Sequence, residues 1–235
     1  MTEKRVGRQT AKAAEETRKQ ILCAATELFC SQGFKAVSLR AISEKAGVSH
    51  SLIRHHFGSK LKIWKQVNDE MENYFRQYIS DLLHTQDPQL KSNYRLFNVL
   101  TTLLARLLVD PRPMQILADA MKQEQELVVY FLDESYEMAE LFESLLNECH
   151  KEGYIQDYQV NELKWLTASY AHSATSLAPL MRGTYPEVES ESACLLKHWH
   201  LYARMLAAQL EIPADDIPQP AQLEDLLQAV PWECK

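Results

Sequence analysis

Hydrophobic positions recur at helical intervals along most of the chain, interrupted by a small set of sharp stops. The first clear stripe is Ile21, Ala25, Leu28 and Phe29, with Thr17 and Gln20 at capping-box spacing before it and Gly33 as its stop. Phe34 and Val37 turn back toward a small core, and Ser38 is placed to cap a short helix over 39–46 that buries Leu39, Ile42 and Ala46. Gly47 stands where a left-handed residue is wanted to end that helix. Ser49 then caps a third short helix whose inward residues are Ile53 and Phe57, and Gly58-Ser59 repeats the stop-and-cap signal. Two short helices joined at Gly47-Val48, with the small Ser43 letting them approach closely, predict a helix-turn-helix.

Beyond Ser59 the pattern predicts long helices: one to about 84, then 90–109, a short one ending near 122, 124–152, 161–182 and 190–210. The breaks between them carry Pro88, Pro111, Pro113, Gly153, Gly183 and Pro186. No internal repeat is present. The expected fold is all-α, with a flexible basic arm over 1–16, a three-helix helix-turn-helix domain over 17–64 and an all-helical domain over 65–211. A proline-containing tail over 212–235 is expected to wrap the surface or stay mobile, apart from a short helix around 223–230.

Composition sharpens this. Only 6 of 235 residues are glycine, which leaves little capacity for bulges or phosphate-cradling loops and favours helix. The five cysteines, Cys23, Cys30, Cys149, Cys194 and Cys234, are odd in number and scattered, as expected for reduced structural thiols. The first twenty residues lack an apolar signal-peptide core, and the longest uncharged stretch, 166–181, is shorter than the roughly 20 apolar residues of a membrane span. A cytoplasmic protein is expected. The net charge of −7 hides an asymmetry: residues 1–65 hold 13 Lys and Arg against 5 Asp and Glu, a local +8, and the remainder is −15. A basic head on an acidic body is expected where one end meets a polyanion.

With Ile53 and Phe57 inward, helical geometry turns His50, Ser51, Arg54 and His55 outward as candidate groove-facing residues. Arg54 has the shape to pair with guanine O6 and N7, or to clamp a phosphate. Thr17, Arg18, Ser38 and Lys60 lie near predicted helix starts, where free N–H groups and a partial positive charge favour phosphate. The adjacent His55 and His56 point in different directions, and with no Cys or acid close by they make a poor metal site. Cys194 and His198, four apart, share a helix face, with His172 or His200 as a third ligand to consider; a buried thiol beside a hydrogen-bonded histidine is the simpler reading. No GxGxxG, P-loop, GxSxG, HExxH or CxxC pattern occurs, so no catalytic site, cofactor or metal is expected.

The run Thr26-Glu27-Leu28-Phe29, Gly33-Phe34, Leu39-Arg40-Ala41-Ile42, Ala46-Gly47-Val48-Ser49 and His56-Phe57-Gly58-Ser59-Lys60 resembles the DNA-binding domain of the TetR family of repressors, in order and in spacing. The resemblance implies a DNA-binding transcriptional regulator, most often a repressor, that binds a palindromic operator as a homodimer and is released by a small molecule. It implies that His56 and Lys60 meet the DNA backbone. The family pattern commonly has Tyr where this chain has Arg54, so base and phosphate both remain open to Arg54. It further implies that the last two long helices form a four-helix bundle with those of a second subunit, through Trp165, Leu177, Leu180, Leu195, Trp199, Tyr202 and Met205. Two heads about one helical turn of DNA apart then read a near-palindrome. Between head and bundle the family places a ligand cavity, for which Phe97, Met114, Met121, Tyr130, Phe131, Tyr136, Met138, Phe142, Tyr170 and His172 are available, suited to a small apolar or aromatic ligand. Core packing is the alternative for each of them.

Overall fold

Every regular element among the described residues of the computed structural model is helical; these residues are 3–122, 130 and 140–228, with side chains from residue 11 onward. The elements are α1 (Glu3–Ala36), α2 (Leu39–Ala46), α3 (His50–His56), α4 (Lys60–His84), α5 (Ser92–Val109) and α6 (Arg112–Ala120). They continue with α7 (helical over the described residues 140–151), α8 (Val160–Ser176), α9 (Ala178–Thr184) and α10 (Glu191–Gln209). Two 3-10 turns follow, Ala214–Asp216 and Leu223–Leu226. The chain divides into two compact units, one through Tyr74 and one from Phe75, a division that falls inside α4.

In the first unit, α1 begins at Glu3, so the basic segment expected as an arm is already helical from there. Thr17 is therefore an interior residue, and its Oγ1 donates to the Ala13 carbonyl (2.9 Å) instead of capping a helix start. The inward face of α1 is Ile21, Leu22, Ala25 and Phe29, all at most 2% exposed; Leu28 of the expected stripe is only half-buried. Gly33 departs from helical geometry with φ 78°, a conformation that costs an L-residue about 1–2 kcal/mol, and the chain kinks there. Helix α2 packs on α1 and α3, and Ile42 and Ile53 are fully buried.

The second unit is organised around α5, which is buried nearly all round: Leu96, Phe97, Val99, Leu100, Leu103, Leu104, Leu107 and Leu108 all lie inside. A helix apolar on every side needs neighbours on every side. Helices α6, α8 and α10 and the 3-10 turn Leu223–Leu226 supply them. Polar bonds fix the packing where backbone would otherwise be stranded: Trp199 Nε1 donates to the Thr101 carbonyl (2.8 Å) and Asn93 Nδ2 to the Leu210 carbonyl (2.8 Å).

The helix expected over 161–182 is in fact two, α8 and α9, separated at Leu177 (φ −119°, ψ 28°). Pro179, in the first turn of α9, has no N–H to return to the Thr175 carbonyl, so a continuous helix loses that bond. The tail wraps the unit, burying Ile212, Ile217 and Leu223, and Gln228 Nε2 donates to Thr85 Oγ1 (2.7 Å). Cys30, Cys149 and Cys194 are free thiols, but Cys23 is disulfide-bonded, against the expectation of reduced thiols throughout. No helix of the described residues is long and apolar enough to cross a membrane.

Candidate nucleic-acid interface

Four serines and one glycine shape the helix-turn-helix and the start of α4. Ser38 Oγ accepts the Ala41 N–H (3.1 Å) at the start of α2, and Ser49 Oγ accepts the Leu52 N–H (3.3 Å) at the start of α3. Between them Gly47 adopts φ 66°, so that its own N–H reaches Glu44 O and that of Val48 reaches Ser43 O (3.1 Å). Ser43 is buried at 6% exposure and turns its hydroxyl back onto Arg40 O (2.8 Å), presenting no bulk where the helices meet. Ser59 Oγ accepts the Lys62 N–H (3.2 Å) and starts α4.

Ile53 and Phe57 point into this small core and hold α3 by its inner face. His50, Ser51, Leu52, Arg54 and His55 are left exposed. Ser51 Oγ lies 2.8 Å from Ser49 Oγ, and the His55 ring meets that of the half-buried His56 edge-on (5.5 Å). No Asp or Glu occurs between Glu44 and Asp69, a stretch that carries Lys45, Arg54, Lys60, Lys62 and Lys65. Arg54 makes no ion pair among the described residues, and its own neighbours in sequence are cationic or neutral, so its guanidinium is not neutralised locally. Arg40, by contrast, is paired with Glu44 (2.8 Å) along α2, a solvent-exposed contact of small energetic weight.

The residues expected at phosphates separate into groups. Ser38 is exposed and sits at a true helix start, with its hydroxyl proton still available. Thr17 and Arg18 lie in the body of α1, where the N–H groups are already bonded within the helix, so the reason for placing phosphate there does not hold. Arg18 stacks over the Phe57 ring (5.2 Å), bracing α3 from behind.

Lys60 is tied to the end of α1. Its ammonium donates to Phe34 O (2.7 Å) and Val37 O (2.8 Å), with Lys35 O at 3.4 Å, and lies 4.3 Å from the centroid of the Phe34 ring. The carbonyls left open where α1 ends beyond Gly33 are thereby satisfied by a cation. Charged hydrogen bonds of this kind contribute roughly 1.5–3 kcal/mol. Lys60→Met is accordingly expected to lower the stability of the first unit by about 2 kcal/mol while leaving the salt dependence of DNA binding nearly unchanged. Urea denaturation and a salt titration check this together; unaltered stability with a salt slope reduced by about one would return Lys60 to the phosphates.

In the second unit the residues expected at a subunit interface also divide. Trp165 (72%), Leu180 (68%), Leu177 (51%) and Met205 (51%) are exposed, and Leu166 joins them at 38%. Leu195 is half-buried. Trp199 (0%) and Tyr202 (4%) belong to the chain's own core, the latter with its hydroxyl 2.7 Å from Thr167 Oγ1. Burial pushes the Tyr202 phenol well above its ordinary pKa, so it stays protonated and able to donate.

Of the expected pocket residues, Phe97, Met114 and Phe142 are buried, Tyr130, Tyr170 and His172 half-buried, and Met121 is exposed; Phe131, Tyr136 and Met138 lie outside the described residues. The Tyr170 ring packs against His198 (5.3 Å) and Tyr202 (5.0 Å), and its hydroxyl donates to Met205 Sδ (2.7 Å). His172 Nε2 lies 3.2 Å from Ser176 Oγ, and its buried Nδ1 has no hydrogen-bond partner among the described residues. His198 Nε2 meets the Tyr170 carbonyl (2.9 Å), which supports the reading of Cys194 and His198 as packing.

Comparison with known proteins agrees with this geometry. Residues 21–67 match the family described as bacterial regulatory proteins, tetR family. The chain is 42% identical over 62 residues to the HTH-type transcriptional regulator SrpR of Pseudomonas putida, spanning 26% of this chain and 29% of that protein. It is 32% identical over 114 residues to the HTH-type transcriptional repressor Rv3405c of Mycobacterium tuberculosis, spanning 48% of this chain and 58% of that one. These matches thus span well under two thirds of either relative. The fold extends further than the sequence likeness: the structure of a SmeT-triclosan complex superposes with a TM-score of 0.62 at 18% identity, covering 87% of this chain and 98% of that one. The family likeness thus rests on residues 21–67, whose sequence matches the tetR family of bacterial regulatory proteins, and on a fold shared over most of the chain.

Proposed function

We propose that the protein is a homodimeric transcriptional repressor of the bacterial cytoplasm that binds a palindromic operator and releases it when a small apolar or aromatic molecule binds the second unit. The observation that carries the DNA-binding half is the outer face of α3, where Ser51, Arg54 and His55 stand exposed on a helix held rigidly from behind by Ile53, Phe57 and Arg18. The acid-free stretch around it supplies the electrostatic attraction that phosphates require. His50, Ser51, Arg54 and His55 face the bases in this reading, with Ser38, His56 and the N–H groups at the start of α4 on the backbone. Repression is the reading favoured by the name of the relative Rv3405c.

Dimerisation follows from the exposed Trp165, Leu177, Leu180 and Met205, which a lone protomer would leave in water, and from the few base pairs that one seven-residue helix can reach. The ligand half rests on His172 within the second unit, whose buried Nδ1 has no hydrogen-bond partner among the described residues and offers a polar handle. The triclosan-bound neighbour supports a small-molecule occupant. Release then measures the difference in ligand affinity between the operator-binding and operator-free conformations.

Titrating duplexes with the protein tests the core of this. Wild type is expected to prefer a palindrome strongly over random DNA, and its affinity should fall by about 10³-fold or more between 50 and 200 mM salt. Arg54→Ala should cost roughly 1–3 kcal/mol and flatten preference at one position of each half-site if the side chain reads guanine. Binding by Arg54→Ala that matches wild type in strength and preference would remove Arg54 from the interface.

A further inference from the structure

We propose that Leu52 is a base-reading residue, whose side chain packs on the C5 methyl group of a thymine in the major groove; this deepens the DNA-binding reading above and rests on it. Leu52 is the large apolar side chain left exposed, at 40%, among the described residues of the first unit. It sits on α3 one residue from Ser51 and three from His55, on the side away from Ile53 and Phe57. Its backbone N–H is bonded to Ser49 Oγ, which fixes the start of α3 and with it the direction of this side chain. A lone exposed leucine is ordinary on a protein surface; what marks Leu52 is its place among the outward side chains of α3, beside Ser51 and His55.

The surroundings decide which partner that is. No exposed large apolar neighbour accompanies Leu52 among the described residues of this unit, and the flanking side chains Ser51, Arg54 and His55 are polar or cationic. A protein partner needs an apolar patch of several residues. A major groove instead presents hydrogen-bonding edges almost everywhere, and the thymine methyl is its one apolar feature. A single leucine set among hydrogen-bonding and cationic side chains matches that pattern. It also divides the work on α3: Arg54 lies on one flank of the outward face and Leu52 on the other, so a guanine and a thymine are read at different positions of the same half-site.

The test uses full-length protein and a duplex selected by that protein from a random pool. Each thymine is replaced singly by deoxyuridine, which deletes the methyl and leaves every hydrogen-bonding atom in place. Wild type is expected to lose about fourfold in affinity at one thymine of each half-site, and about fifteenfold when both are replaced. Leu52→Ala should bind the thymine duplex with the affinity wild type shows for the deoxyuridine duplex and should not respond to the replacement, at an unchanged melting temperature. Leu52→Met, which keeps an apolar tip, should retain the response. A protein that binds its selected duplex with no deoxyuridine-sensitive position, or a Leu52→Ala variant as sensitive as wild type, overturns this assignment alone. Failure to select or retain any duplex at low salt overturns the DNA-binding reading, and the assignment with it.

Discussion

The double substitution Trp165→Glu, Leu180→Glu is expected to yield a folded monomer that has lost operator affinity by about 100-fold or more. Both side chains are about 70% exposed in the single chain, at 72% and 68%, so removing them takes nothing from the protomer's core. Far-UV circular dichroism and the melting temperature of the isolated protomer should therefore be almost unaffected. In a symmetric interface each substitution appears twice, and four buried carboxylates facing apolar surface cost far more than the few kcal/mol a modest interface has to spare. Operator affinity falls because two weak half-site contacts no longer act as one, and the advantage of linkage is commonly 10²–10⁴. Sedimentation velocity with a duplex titration reads both effects. A variant that still sediments as a dimer places the subunit contact elsewhere.

Trp199→Ala is expected to act on the protomer itself. The indole is completely buried beside α5, and truncating a core Trp costs about 3–5 kcal/mol through lost burial and the cavity left behind. The Thr101 carbonyl also loses the Nε1 donor that satisfies it (2.8 Å), adding about 1 kcal/mol or more. The second unit should melt roughly 10 °C lower or more. Trp199→Phe keeps a six-membered ring but removes the donor together with part of the indole, so an intermediate loss of about 1–3 kcal/mol is expected. The assay is best run in the Trp165→Glu, Leu180→Glu background, where dimerisation cannot contribute to the melting temperature. A Trp199→Ala protein that is as stable as wild type but more weakly associated would move Trp199 back to the interface.

The contrast between Trp165 and Trp199 shows how far patterning reaches. Helices α8 and α10 carry more apolar residues than one face requires, which was legible as a surplus of hydrophobic surface. Which part of the surplus faces the chain's own core depends on where α5 lies, and α5 is about a hundred residues from Trp199 in sequence. Periodicity groups Trp199 and Tyr202 with Trp165, because a helix without its neighbours does not show which of its apolar faces is covered. Leu52 shows the complementary failure. Its outward position follows from helical geometry, but its exposure depends on how α3 packs in the first unit.

The stops and caps of the helix-turn-helix were determined by local sequence alone: Ser38, Gly47, Ser49 and Ser59 act on backbone groups within a few residues, and Gly47 needs only its own freedom at φ 66°. With the basic head they were enough to specify the all-helical class and the DNA-reading module. Tertiary structure decided the partners of long side chains that reach across the chain, as when Lys60 crosses from the start of α4 to carbonyls at Phe34 and Val37. It likewise decided which apolar residues of α8 to α10 are spent inside the protomer and which remain to meet a second one. The physical reason is one of range: a cap or a left-handed turn is settled by neighbouring backbone, whereas burial and the destination of a flexible charged side chain depend on surfaces that exist only once the chain has closed on itself.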